Sequence, residues 1–177
     1  MRNKSTLAFL VSAIAVMPAS ARAQDAASVR AEIMRHFDVN QAKLVALADA
    51  TPADKFGWKP SEPARTVAGV YAHVAADNIW YLTHELKLAA PAGIKLDTLE
   101  NVRDKAQILA LLRRTSDYVK TTVAAIPDAQ LGAQATLYGR PAPQWSVLME
   151  LVTHMSEHLG QSIAYARANN IVPPWSK

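Results

Sequence analysis

Cysteine is absent from the 177-residue chain. That excludes disulfides, thiolate metal sites, a cysteine nucleophile and a lipid anchor on an N-terminal Cys. Any metal site must therefore be built from histidine, carboxylates or water. Long apolar runs are nearly absent as well. The one near the N-terminus, from Leu7 to Met17, is shorter than the roughly 20 residues a permanent membrane span requires. Strand-like alternation appears nowhere at length, and there are no internal repeats or low-complexity tracts. A strong charge of one sign is missing too. The formal net charge of +4 includes Arg2, Lys4 and Arg22 among 19 basic residues, so the rest of the chain sets 16 basic residues against 15 acidic ones. With no basic stripe, nothing points to a nucleic-acid partner.

What is present begins with a leader. In MRNKSTLAFLVSAIAVMPASARAQ, two basic residues precede the apolar run, Pro18 ends it, and Ala21-Arg22-Ala23 places small residues where a signal peptidase reads them. Residues 1–23 are expected to be a signal peptide, with the mature chain starting near Gln24. The protein is then exported, periplasmic or secreted, and not membrane-bound once the signal is removed. Residues 24–177, about 150 in number, form one domain's worth of chain, enough to bury a core without staples.

Four helical blocks follow. The first runs from about Ala26 to Ala50, with Val29, Ile33, Phe37, Leu44 and Leu47 at helical spacing. TPADKFGWKPSEPARTV breaks the helix repeatedly, and Thr66 is a suitable N-cap for a second block reaching about Leu88. AAPAGIKLDTLEN is a connection. The third block spans about Asn101 to Ile126, and a polar crossing pairs two brief extended pieces around Gly139. The fourth runs from about Gln144 to Asn169. Four amphipathic stretches of similar length predict an all-α four-helix bundle with a long crossover connection before the last helix.

The histidines carry the chemistry. His154 and His158 in THMSEHLGQ are i and i+4, about 6 Å apart along one face, where two imidazoles can reach one divalent ion. The residue after His154 is Met155, so the zinc-protease arrangement, with Glu in that place as base, does not apply. Glu157 points to a neighbouring face. His73, in VYAHVAADNIWYL, lies near an apolar stripe, where its nitrogens need partners. A metal with one hydrogen bond would satisfy both; so would a backbone carbonyl or a Tyr. His84 falls about 16 Å further along the same face and cannot share a first shell with His73. His36 is most simply a boundary residue. Gln161, one turn beyond His158, is placed to hold a water or orient the imidazole, and Asp77, i+4 from His73, to support His73 without itself binding the metal, or simply to lie on the helix surface. Gly160 lowers helix propensity by about 1 kcal/mol relative to Ala, which a close approach by another helix or by the loop around Trp58 would explain. Trp58 and Trp145 are expected to pack over bundle ends.

FGWKPSEPARTVAGVYAHVAADN and THMSEHLGQSIAYARANNIVPP resemble the DinB-like four-helix-bundle proteins. In that family a Trp-x-Pro loop leads into a helix bearing one His, and the last helix carries His-x-x-x-His followed by Gly-Gln. The resemblance covers essentially the whole mature chain. It implies a three-histidine metal site of His73, His154 and His158. This chain departs from the family pattern at Glu157 and Leu159, where His and Arg are frequent; neither change removes a ligand.

An all-histidine site suits Zn, Ni, Fe or Co and leaves positions open for water or substrate. A Lewis-acidic ion there would lower the pKa of a bound water or thiol. The resemblance implies thiol activation, since relatives of this type include metal-dependent thiol transferases and a thiol-dependent isomerase. Two functions follow as expectations: a hydrolase or thiol transferase acting on a small molecule, or a non-catalytic metal-binding or stress-response bundle. Neither Glu150 nor Glu157 is clearly aimed at the metal, so no general base is evident. A homodimer is implied by the resemblance alone.

Overall fold

The computed structural model describes residues 19–176. The predicted signal peptide thus lies largely outside the described residues. The first helix, α1 (Ala19–Ala50), runs unbroken across the expected start of the mature chain and begins before the predicted Ala26. Its stripe buries Ile33, Phe37, Leu44 and Leu47 as the spacing requires, whereas Val29 is exposed.

Helix α2 (Val67–Trp80) begins at Thr66, whose side chain accepts from the Gly69 N–H at 3.0 Å. This satisfies one of the free donors of the first turn. Nearly every residue of α2 is buried, Val70, Tyr71, Val74 and Ile79 among them. A helix apolar all round belongs in the middle of a bundle. The block continues as a π turn over Tyr81–Glu85 and does not stay α-helical to Leu88. Its last residue, Glu85, is buried and accepts from Thr136 Oγ1 at 3.0 Å and from the Tyr138 N–H at 3.2 Å. The wider turn thereby ties the end of the helix to the crossing that precedes the last helix.

The connection AAPAGIKLDTLEN contains a one-turn helix, α3 (Leu96–Leu99). Helix α4 (Lys105–Ala124) starts four residues later than Asn101 because Asp104 is its N-cap, accepting from the Gln107 N–H at 2.9 Å. Two strands, β1 (Gln134–Leu137) and β2 (Arg140–Pro143), pair antiparallel with Leu137 opposite Arg140. Tyr138 and Gly139 between them both have positive φ, 52° and 77°. That is the two-residue turn whose twist suits a hairpin, and only Gly adopts it freely. Helix α5 (Gln144–Ala168) follows directly.

Helix α1 packs against α4 and α5, and α2 packs against the same two. The consecutive pairs α1–α2 and α4–α5 therefore face each other across the bundle diagonals. Both the 51–66 connection and the 125–143 crossing run between diagonal helices, and the second is the long crossover before the last helix that the sequence predicts. Among the described residues, no helix is long and apolar enough to cross a membrane.

Candidate metal centre

The contact between α2 and α5 positions the site. His73 lies in the second turn of α2, between the buried Val70 and Val74. His154 and His158 lie on α5 beside the buried Leu151, Met155 and Leu159. All three rings sit at the edge of the core, half-buried. Their Nε2 atoms converge. His154 Nε2 is 3.3 Å from His73 Nε2 and 3.1 Å from His158 Nε2. Two nitrogens bound to one ion at about 2.1 Å stand roughly 3.0–3.4 Å apart for angles between octahedral and tetrahedral. The observed spacings fall in that interval. A carboxylate joins them: Asp77 Oδ2 is 3.1 Å from His154 Nε2 and 3.5 Å from His73 Nε2. Asp77 thus lies beside the converging nitrogens.

The outer ring nitrogens decide the tautomers. His73 Nδ1 is 2.8 Å from Glu100 Oε1, and the other Glu100 oxygen accepts from Arg65 at 3.0 Å. Desolvation pushes the Glu100 carboxyl up, but the hydrogen bonds from His73 and Arg65 outweigh it and hold the group below its usual range. A carboxylate there makes His73 Nδ1 the N–H donor. His158 Nδ1 is 2.8 Å from Gln161 Oε1, and Gln161 Nε2 donates to the Tyr165 hydroxyl at 2.9 Å. The Gln161 oxygen thus faces the ring, and His158 also carries its proton on Nδ1. Both Nε2 atoms then present lone pairs inward.

His154 remains neutral. Burial first, then the neighbouring His158, His73 and Arg65, lower its pKa to about 4. Burial also lowers His158, against the hydrogen bond it donates to Gln161. Asp77 is raised by burial, with His73 pulling in the opposite direction. Even if His154 carries its proton on Nε2, that N–H can point at only one of three electron-rich neighbours. A divalent cation would satisfy the whole group, and the three histidines form a cluster able to hold one.

The other sequence candidates lie elsewhere. His84 stacks on Trp80, ring centroids 5.3 Å apart. His36 is exposed and pairs with Glu32. Glu157 is exposed. Glu150 accepts from the Tyr138 hydroxyl at 3.1 Å, and that hydroxyl also bonds Tyr81, whose ring meets His154 edge-on at 5.7 Å. Trp58 packs edge-on against Tyr165 with centroids 5.3 Å apart, so the Trp-x-Pro loop braces the residue that holds Gln161. Trp145 is 40% exposed. The expected close approach at Gly160 does not occur, since a Cβ there would meet nothing within 4 Å.

Sequence reasoning missed Glu100, Arg65 and Tyr165. A cleft of about 410 Å³ opens beside the cluster, lined by Asp77, Trp80, His84, Leu96 and Glu100 among others. Asp77 and Glu100 face both the cleft and the histidines.

The description "DinB superfamily" belongs to the family model that matches residues 36–165 of this chain. A similar solved structure is that of a DinB-like protein from Bacillus cereus ATCC 10987. It shares 17% identity with a TM-score of 0.69, over 80% of this chain and 93% of that one. At that identity the likeness speaks to fold. No curated protein matches the chain.

Proposed function

This chain belongs to the DinB superfamily, and from that footing we propose that it is an exported metalloprotein in which His73, His154 and His158 hold one divalent ion, Zn, Ni or Fe, and act on a small molecule. The observation that carries the metal assignment is the convergence of three Nε2 atoms, with neighbours at 3.1 and 3.3 Å, while Glu100 and Gln161 occupy two of the outer nitrogens. Without a cation, a proton on His154 Nε2 can serve only one of its three neighbours. Export rests on the charge, apolar run and Ala-x-Ala order of residues 1–23.

A bound divalent ion would supply Lewis acidity, making a nucleophile of water or thiol near neutral pH. The chain's own residues do the remaining work. Glu100 and Gln161 fix two imidazoles in the ligating tautomer. Asp77, half-buried beside the nitrogens, is the carboxylate placed to accept a hydrogen bond from whatever occupies an open position. The neighbouring cleft, which shares Asp77 and Glu100 with the cluster, supports a hydrolase or thiol-transferase reaction over storage, because a site built only to retain metal gains nothing from a cavity beside it. A non-catalytic metal-binding role is the second reading. It is supported by the shielding of the rings, His73 and His154 being only 16% and 14% exposed.

The test is metal analysis of natively purified protein. Wild type is expected to carry about one ion per chain, and His73→Ala or the His154→Ala/His158→Ala pair to carry none while remaining helical. Equal metal content in the variants would sink the assignment. N-terminal sequencing of the exported form checks for a start near Gln24.

A further inference from the structure

We infer that Glu100 is a positioning residue through which metal occupancy and the docking of α3 are coupled, so that the wall of the cleft formed by α3 is set by the ion. The inference rests on the metal-site reading above.

Glu100 follows the last residue of α3, the single helical turn that packs on α2. Leu99 is buried there with Ala76 and Ile79 of α2, so a small apolar contact is the base of the docking. The polar part is the Glu100 carboxylate. One oxygen takes the His73 Nδ1–H at 2.8 Å, and the other takes Arg65 at 3.0 Å from the loop that enters α2. Leu96, Asp97 and Glu100 form one side of the cleft, and Ala76, Asp77, Trp80 and His84 form the other. The same hydrogen bond therefore orients a ligand and holds a cavity wall.

The two roles reinforce each other. An imidazole that gives its Nε2 lone pair to a cation becomes a stronger N–H donor at Nδ1, and a carboxylate accepting that N–H makes Nε2 a better ligand. By linkage, whatever free energy the docked carboxylate adds to metal binding, the metal returns to docking. His158 differs, because its partner Gln161 is neutral and sits on the same rigid helix. Only His73 is tied to a separate, short element, so His73 is where occupancy is felt outside the bundle.

The test uses the full mature chain with Zn²⁺ as the probe, in two measurements. The first is Zn²⁺ affinity by competition with a chromophoric chelator. Relative to wild type, Glu100→Ala is expected to lose roughly tenfold to a hundredfold. Glu100→Gln retains an acceptor and is expected to lose less. The second is hydrogen exchange with and without Zn²⁺, read at the Thr98, Asn101 and Val102 amides that close the turns of α3. Zn²⁺ is expected to slow these amides in wild type and to leave them unchanged in Glu100→Ala. Glu100→Ala binding Zn²⁺ within twofold of wild type, or wild-type α3 amides indifferent to Zn²⁺, overturns the coupling alone. Wild type that takes up no Zn²⁺ overturns the metal-site reading and the coupling with it.

Discussion

Acidification of the metal-stripped protein should cost stability through His154. Burial lowers this histidine from 6.5 to about 4. A group whose folded pKa lies below its unfolded value stabilises the fold above the unfolded pKa. That stabilisation fades as the pH falls towards the folded one, because the unfolded chain takes up the proton first. The window is therefore pH 6.5 down to about 4. Integrated from pH 7 to pH 5, the loss comes to about 2 kcal/mol, or roughly 1–2 kcal/mol once partial solvent screening of the ring is allowed for. Against the 5–15 kcal/mol typical of a domain, this is measurable. The assay is urea unfolding of chelator-treated protein at pH 7 and pH 5, for wild type and His154→Gln. The variant lacks the titrating ring and should lose about 1–2 kcal/mol less across that interval. His158, also lowered, acts in the same direction, and the raised Asp77 in the opposite one, so the difference reports His154 together with its coupling to these neighbours. Equal pH sensitivity in the two proteins would refute the reasoning.

Gly160→Ala should stabilise the protein by about 1 kcal/mol, because the added methyl meets nothing and the helix gains an alanine. The melting temperature should rise roughly 2–4 °C, and a fall would mean that the surface is occupied in solution. Thr66→Ala should cost about 1 kcal/mol through loss of the N-cap, most of it restored by Thr66→Ser, as measured by chemical unfolding. Phe37→Ala, at a position with 0% exposure, should cost about 3–5 kcal/mol; a loss under 1 kcal/mol would contradict its place in the core.

Much of the fold was legible because helix periodicity and turn chemistry are local. The buried stripe of α1, the cap at Thr66 and the hairpin around Gly139 each follow from a few adjacent residues. What escaped was set by long-range packing. The block ending near Leu88 reads as continuous helix, yet Glu85 is drawn to Thr136 and Tyr138, and the backbone widens into a π turn at the residues that reach them. Likewise nothing local in LDTLEN distinguishes a loop from a single helical turn whose Leu99 finds Ala76 and Ile79. The diagonal placement of consecutive helices depends on which faces meet, and each helix carries enough apolar surface to fit either neighbour.

The site divides along the same line. His154 and His158 are visible as a pair because one helix fixes their separation. His73 joins them on the page only through the resemblance to a family, since its 81-residue distance from His154 carries no geometric constraint. Glu100 could not have been found that way. It sits in a connection, 27 residues from the ring it holds, and a lone glutamate in a polar loop has no spacing that marks it. The usable signal was a need. A histidine that ligates through Nε2 requires an acceptor at Nδ1, and α2 offered His73 no carboxylate behind its ring, because Asp77, one turn on, faces Nε2. The acceptor therefore had to come from a segment packing over the start of α2. The connection before α4 is such a segment, and its acidic residues were the short roster from which Glu100 is drawn.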